Sequence, residues 1–237
     1  METTCSNKIV SLHLERCGLE NCPHQSICYL RNRKDEKRTV RTDISYFVRK
    51  GYRVYNAICN KVTGNDLWLL NNYKNYNITL SYNLFKEYDE LKDEKIKDQI
   101  QVTVYNEEQL KELNNQQKLY LVKDEETLSF FYKHINLPWK NIHFPIDQSF
   151  IDKKKIIEMS LSIISSNNNI TLDSCLTQIV KEHHCIYGDN YIDINYDGTI
   201  RKCVFDKEGI YFGKREEDME KAFDISIERN CIYKRII

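Results

Sequence analysis

The sequence predicts an α/β fold in which six strand-then-helix units form a parallel sheet. Strand-like and helix-like segments alternate from residue 8 to residue 165, and the last four predicted strands begin 18–23 residues apart. Only seven Gly and three Pro occur in 237 residues, which argues against disordered linkers. Such alternation is typical of parallel strands joined by crossover helices. Six units predict an open partial (β/α)6 barrel, short of the closed eight-unit form.

The predicted strands are β-branched or aromatic runs, and each precedes a charged or amphipathic segment. Strands are predicted over 8–14, 52–58, 77–82, 100–105, 118–122 and 141–146. Helices are predicted over 25–51 with a break near 39–43, and over 64–73, 84–98, 106–113, 124–134 and 151–165. Gly51 is a predicted helix stop and Asn106 a predicted helix cap. Functional residues of such a sheet are expected at the carboxyl ends of its strands.

The C-terminal part departs from this repeat. Two strand-like runs, 190–196 and 199–205, flank Asp197-Gly198, and an Asp-Gly pair is a strong hairpin turn signal. The segment is therefore predicted to be a small β element and not a seventh βα unit. We expect a barrel domain over 1–168 and a C-terminal extension over 169–237.

Charge and hydropathy exclude several classes of function. The 35 basic and 35 acidic residues give a formal net charge of zero, which argues against a nucleic-acid partner. No run approaches the roughly 20 apolar residues of a membrane span. Residues 1–16 lack the long apolar core of a signal peptide. We therefore expect a cytoplasmic protein with no membrane partner.

Cysteine is the unusual residue, with nine copies in two groups. In a reducing compartment, clustered cysteines more often bind metal than form disulfides. Cys17, Cys22 and Cys28 are separated by four and five residues directly after the first predicted strand. Three thiolates can hold three irons of a four-iron cluster and leave the fourth open. A zinc site that also uses His24, or three buried cysteines without metal, are the alternatives.

A strand followed by a three-Cys loop ending in Cys28-Tyr29, and then by βα units, resembles the radical S-adenosylmethionine (radical SAM) superfamily. The family's usual spacing is CxxxCxxC, and the two gaps here are longer by one and three residues. The segment KVTGNDLWLL after the second strand resembles the family's glycine-rich segment that holds the amino group of SAM. Thr63, Gly64, Asn65 and Asp66 stand at that place. Its alternative is an ordinary βα loop in which the Asn65-Asp66 pair caps a helix.

The C-terminal cysteines resemble the SPASM/twitch extension of radical SAM enzymes. Cys185-x-x-Gly188 precedes an apolar strand, the Asp-Gly turn and Cys203. Together with Cys175 and Cys231, these thiolates would complete one auxiliary four-iron cluster, as in the shorter twitch form. A zinc knuckle with four thiolate ligands or a hairpin with incidental cysteines are the alternatives. His183 and His184 are expected to be solvated, Cys5 to be a tail thiol and Cys59 a loop or core thiol.

The resemblance implies an enzyme that reductively cleaves SAM and uses the 5′-deoxyadenosyl radical on a substrate. It further implies a peptide or protein substrate, a possible separate recognition protein, and an electron donor such as flavodoxin or ferredoxin. The first rival is a degenerate, non-catalytic relative that keeps iron–sulfur clusters or zinc for structure. The second is a zinc-stabilised interaction module. No GxSxG, P-loop or GxGxxG signature occurs, so hydrolase, NTPase and dinucleotide-binding functions have no support.

Overall fold

The structure of the chain is a computed structural model that confirms the α/β class. It describes residues 7–14, 43–113, 116–122, 125–137, 139–143, 153–166, 171–172, 190–195, 198–202, 210–213 and 215–225. These belong to two compact units. The first comprises Met1–Ile100 and Ile186–Glu228, and the second Gln101–Cys185 and Arg229–Ile237.

The described strands and helices alternate over most of the chain. The strands are β1 (Ile9–His13), β2 (Arg53–Ile58), β3 (Tyr76–Ser81), β4 (Ile100–Val104), β5 (Gln117–Leu121), β6 (Trp139–His143), β7 (Thr171–Leu172), β8 (Tyr191–Asn195), β9 (Thr199–Arg201) and β10 (Ile210–Tyr211). The helices are α1 (Ile44–Arg49), α2 (Gly64–Asn72), α3 (Tyr82–Glu87), α4 (Glu107–Glu112), α5 (Glu125–Lys133), α6 (Lys153–Ser166) and α7 (Glu216–Glu220). Short 3₁₀ helices span Asp89–Lys92, Lys97–Gln99 and Lys221–Asp224.

The sheet of the first unit has the strand order β10-β9-β8-β1-β2-β3. Strand β1 pairs in parallel with β2 on one side and with β8 on the other, and β2 pairs in parallel with β3. Strands β9 and β10 continue beyond β8 in antiparallel orientation. Strand β1 is therefore an interior strand, and this sheet does not close on itself within the described residues.

One face of this sheet is apolar and fully buried. Side chains alternate between faces along a strand, so the parallel register puts one set of residues on the same side. Their exposed fractions are 1% or less: Val10, Leu12, Val54, Ile78, Leu80, Ile192 and Ile194. Helix α2 packs on this side, because its Asp66 contacts side chains of β2 and β3. The opposite face is polar, and it carries the candidate site.

The second unit contains the parallel order β4-β5-β6-β7. Its core contains apolar side chains from strands and helices alike: Val102, Val104, Leu110, Leu119, Tyr120, Leu128, Phe131 and Ile163. The predicted Asn106 cap is confirmed, since its side chain accepts a hydrogen bond from the Gln109 backbone N–H at 3.0 Å. This sheet also remains open among the described residues.

The predicted helix over 84–98 is wrong in its length, because α3 ends at Glu87. The next buried apolar residues, Leu91 and Ile96, lie five positions apart. That spacing places two side chains about 140° apart around an α-helix, so one face could not bury both. Two 3₁₀ helices replace the helix and bring both side chains inward.

The predicted C-terminal hairpin is present as β8 and β9, and Gly198 adopts a positive φ of 82° between them. It is not a separate appendage to the sheet, since β8 pairs with β1 along five residues. The division at residue 168 stays a prediction. Within the described part of the chain, no helix combines the length and apolar character needed to cross a membrane.

Candidate functional site

Thr63, Gly64, Asn65 and Asp66, the predicted SAM-binding residues, form the start of α2. Thr63 is the helix cap, and its hydroxyl accepts from the Asp66 backbone N–H at 3.2 Å. Asp66 returns the contact, since its Oδ2 accepts from the Thr63 backbone N–H at 2.9 Å and from the Thr63 hydroxyl at 2.5 Å. This reciprocal pair is a capping box, which satisfies backbone donors that a helix end otherwise leaves unpaired.

The other carboxylate oxygen of Asp66 is also engaged. Oδ1 accepts from the Tyr76 hydroxyl at 2.6 Å and from the Asn56 amide at 3.3 Å, and Asp66 is 4% exposed. Both oxygens therefore serve contacts within the protein. The segment therefore caps a helix, as its alternative has it, but the cap is Thr63 and not the Asn65-Asp66 pair; Thr63, Gly64 and Asn65 are its exposed members.

Gly64 lies beside open space. A Cβ added to it would meet no atom within 4 Å, and its φ is outside the left-handed range. Neither backbone conformation nor packing of the described residues therefore requires glycine here. The open volume above this helix end is compatible with a small group approaching the backbone.

Sequence reasoning missed a polar cluster that the structure forms on β1, β8 and β9. The pairing register sets Ser11 opposite Asp193, His13 opposite Asn195, and Asp193 opposite Arg201. Because residues opposite each other in register share a face, all five side chains lie on the same side of the sheet. We call these residues the β1–β8 polar cluster.

Asp193 is the centre of the β1–β8 polar cluster. Its carboxylate, with no exposed surface, forms an ion pair with the Arg201 guanidinium, which is 3% exposed. His13 Nε2 lies 3.2 Å from Asp193 Oδ1. Arg201 also donates to Asn195 Oδ1 at 3.0 Å, and Asn195 donates to the Thr199 hydroxyl at 2.9 Å. A charge buried this deeply requires a partner, and Arg201 supplies one.

The geometry excludes a serine-nucleophile relay. Ser11 Oγ lies 3.5 Å from His13 Nε2, the same ring nitrogen that faces Asp193. In a Ser-His-Asp relay the serine and the carboxylate contact different ring nitrogens. The cluster can instead orient the imidazole of His13, whose side chain is 12% exposed.

The polar face continues from the cluster across β2 and β3. Tyr55 on β2 lies opposite Ser11 on β1 and Asn77 on β3. Thr79, two residues after Asn77, lies on the same face of β3. These side chains are half-buried. Parallel sheets are usually apolar on both faces, so a polar and partly exposed face is a suitable surface for a ligand.

A sequence signal for the cluster existed in two short strands. In IVSLH and YIDIN, polar residues alternate with apolar ones, which predicts one polar face on each strand. What the sequence did not reveal is that these two strands are neighbours. They are separated by about 180 residues, and only the pairing of β8 with β1 brings Asp193 to His13.

All of the predicted metal ligands lie outside the described residues: Cys17, Cys22, Cys28, Cys175, Cys185, Cys203 and Cys231. The same holds for His24, His183, His184 and Cys5. Cys59 is described, and it is a buried thiol outside any disulfide, which confirms its predicted place in a loop or core. Among described residues, no three His, Cys, Asp or Glu side chains converge on a point that could hold a metal ion.

No family model matches the chain, and comparisons with curated proteins and with solved structures likewise give no match.

Proposed function

We propose that the chain is a radical SAM enzyme with a partial (β/α)6 barrel and a twitch-like C-terminal extension. The observation that carries the proposal is the position of β1. It is an interior strand of a parallel sheet, and the segment that follows its last residue, His13, contains Cys17, Cys22 and Cys28. Open α/β sheets bind ligands beyond the carboxyl ends of their strands, where this segment begins.

The donor set suits an iron–sulfur centre. Three thiolates at the first group can hold a four-iron cluster with one iron open, and such a cluster with SAM supplies a 5′-deoxyadenosyl radical. Thr63, Gly64, Asn65 and Asp66 would contribute the SAM-binding segment. Cys175, Cys185, Cys203 and Cys231 would hold an auxiliary cluster.

The remaining parts of the proposal follow from the family resemblance. The substrate is a peptide or protein, presented with or without a separate recognition protein. A flavodoxin or ferredoxin supplies the electron, and the enzyme works in the cytoplasm. The polar face with Ser11, Tyr55 and Asn77 offers hydrogen-bonding groups of the kind that a peptide backbone requires.

A second candidate function is a non-catalytic metal-binding interaction protein that keeps iron–sulfur clusters or zinc. One observation favours it. Both carboxylate oxygens of Asp66 are engaged by Thr63, Tyr76 and Asn56. The segment that resembles the SAM-binding loop therefore has a sufficient structural reason to exist.

SAM cleavage separates the two candidates. The full chain is purified anaerobically, loaded with iron and sulfide, reduced with dithionite and incubated with SAM. The enzyme proposal predicts 5′-deoxyadenosine, formed by the wild type and by Cys59→Ala but not by Cys28→Ala. Cys59→Ala is a matched control because it makes the same Cys-to-Ala change at a buried position outside both cysteine groups.

A cluster-loaded chain that neither binds nor cleaves SAM would overturn the enzyme proposal in favour of the interaction protein. Cleavage that persists in Cys28→Ala would overturn the assignment of the catalytic thiolates.

A further inference from the structure

Strands β4 and β5 bury polar side chains on one face of the sheet in the second unit. Gln101 lies directly opposite Gln117 in the pairing register, and Thr103 lies two residues further along β4 on the same face. Gln101 is 7% exposed, and Thr103 has no exposed surface. Paired parallel strands are usually apolar on both faces, so three polar side chains together require a physical reason. We call these three residues the β4–β5 polar patch.

The opposite face of the same two strands is the one that packs against α5. Val102, Val104 and Tyr120 lie on that face and are buried. The Tyr120 ring lies 6.3 Å from the ring of Phe131 in α5, centroid to centroid, and the Tyr120 hydroxyl donates to the Thr127 carbonyl at 2.7 Å. Contacts with this helix are therefore made from that side, and the β4–β5 polar patch faces away from it.

Two buried atoms of the β4–β5 polar patch lack a hydrogen-bond partner. Within the described residues, neither the Thr103 hydroxyl nor the Gln117 side-chain carbonyl oxygen forms a hydrogen bond. An unsatisfied buried group is costly, because it loses its hydrogen bonds to water and gains none in the protein. Nearly all buried polar atoms of native proteins have a partner, so we expect these two atoms to contact a bound group.

The two atoms require complementary groups from their partner. Gln117 Oε1 is a carbonyl oxygen that only accepts, whereas the Thr103 hydroxyl can donate one hydrogen bond. The partner must therefore offer a donor to Gln117 and an acceptor to Thr103, and a secondary amide carries both in one rigid plane. The β4–β5 polar patch contains no ionised side chain, so a neutral partner fits it better than a charged one.

We propose that the β4–β5 polar patch is a binding site for a peptide group. The ligand N–H donates to Gln117 Oε1, and the ligand carbonyl accepts from the Thr103 hydroxyl. Gln117 is half-buried, so a ligand reaches the site at the first residue of β5. The site uses residues of the second unit alone, and it therefore goes beyond the proposed function and does not depend on either cysteine group.

The test is a nuclear magnetic resonance titration of the full chain with N-methylacetamide, a neutral molecule with one peptide group. The inference predicts a saturable shift of the Gln117 side-chain amide signals. N,N-dimethylacetamide keeps the carbonyl but has no N–H. It should bind about fivefold more weakly, the effect of losing one neutral hydrogen bond.

Variants of Thr103 test the second contact. Thr103→Val keeps the side-chain shape and removes the hydroxyl, so it should weaken N-methylacetamide binding about fivefold. Thr103→Ser keeps the hydroxyl and should bind like the wild type. Ser160→Ala is the matched control, because Ser160 in α6 is another fully buried hydroxyl without a hydrogen bond among the described residues. Its affinity should also equal that of the wild type.

Stability without the ligand separates binding from a purely structural role. Thr103→Val should not lower the urea midpoint, and a lower midpoint would reveal a hydrogen bond within the protein and overturn the inference. No saturable shift in the wild type, or equal affinities for the two amides, would overturn it as well. None of these results bears on SAM cleavage, so the proposed function stands or falls separately.

Discussion

Lys118 is a charged residue inside the core of the second unit. It is 1% exposed, and its ammonium donates to the Gln116 backbone carbonyl at 2.7 Å. Burial lowers the pKa of Lys118 to about 8 from its ordinary 10.5. The unfolded chain therefore binds this proton over a pH range in which the folded chain has released it.

The free energy of unfolding should consequently rise as the pH rises from 8 to 10.5. Below pH 8 the folded chain keeps the buried charge, which lowers the free energy of unfolding by about 3 kcal/mol. Lys118→Met removes the penalty and also removes one donor from the Gln116 carbonyl, so we expect a gain of about 1–2 kcal/mol at pH 7. Urea unfolding at pH 7 and pH 10 measures both effects. Lys154→Met replaces an exposed lysine, so it should change the free energy of unfolding little at either pH. A wild type with equal stability at the two pH values would contradict the buried charge.

Asp66 tests whether the predicted SAM-binding segment is also structural. Asp66→Ala removes acceptors for Tyr76, Thr63 and Asn56, so the free energy of unfolding should fall by about 3 kcal/mol. Asn65→Ala, at the exposed neighbouring position, should change it by less than about 0.5 kcal/mol. Equal stabilities in urea unfolding would mean that the capping box does not hold the helix end.

At this scale, sequence and structure agree where a local rule applies. The cap at Asn106 was predicted from a short polar side chain before a helix, and it is present; the cap of α2 is Thr63, two positions before the expected Asn65-Asp66 pair. The β1–β8 polar cluster has no local rule. His13 contacts Asp193, which pairs with Arg201, and both of these residues are distant from His13 in the chain.

Helix α2 provides a test of ligand binding that stability does not confound. Gly64→Ala places a methyl group in open space at the first helical residue, so stability should change by less than about 0.5 kcal/mol. If the helix end contacts SAM, the affinity measured by equilibrium dialysis should fall at least about tenfold, a difference of about 1.4 kcal/mol.

Gly51 is the matched control for this change. Its φ of 79° is costly for alanine, so Gly51→Ala should destabilise the chain by about 1 kcal/mol without altering SAM affinity of the folded protein. Unchanged affinity in Gly64→Ala would remove Gly64 from the SAM site.

Within the first unit, two carboxylates of helix α7 contact the region around α1: Glu216 accepts from the Asp43 backbone N–H at 2.6 Å, and Glu220 has three donors. Glu220 accepts from the Tyr46 hydroxyl at 2.8 Å, from the Tyr52 hydroxyl and from the Lys50 ammonium at 3.4 Å. Glu220→Ala should lower the free energy of unfolding by about 2 kcal/mol, because partly buried hydroxyls lose a charged acceptor. Glu217→Ala, at a more solvent-accessible position of the same helix, should have almost no effect. Similar urea midpoints for the two variants would contradict this anchoring role.

Element boundaries were predictable where periodicity was clear and failed where it was not. Strands β2 and β4 begin and end within one residue of their predicted bounds, since β-branched or aromatic residues are frequent in each. Helix α3 is shorter than predicted because charged residues hid the five-residue spacing of Leu91 and Ile96. The two-residue strands β7 and β10 carry too little pattern to be recognised.

For the whole molecule, the alternation of strands and helices predicted the α/β class and the parallel pairing. Strand order is a different matter, because it depends on contacts between distant segments. The hairpin of β8 and β9 was expected outside the sheet, yet β8 lies beside β1. A strand of five buried residues, such as YIDIN, requires neighbours on both sides, and β1 and β9 supply them.

The position of β8 also changes the setting of the proposed function. It makes β1 interior, so the cysteine segment follows a strand flanked by β2 and β8. The polar residues of β8 and β9 then stand beside the last residue of β1. The pairing of β8 also brings Asp193 to the imidazole of His13, the last residue of β1.

The metal content of the anaerobically purified chain tests the account most directly. The account predicts a brown protein with about seven to eight irons and a matching amount of sulfide per chain, the sum of two four-iron clusters. A colourless protein containing zinc in place of iron, or no bound metal at all, would contradict it.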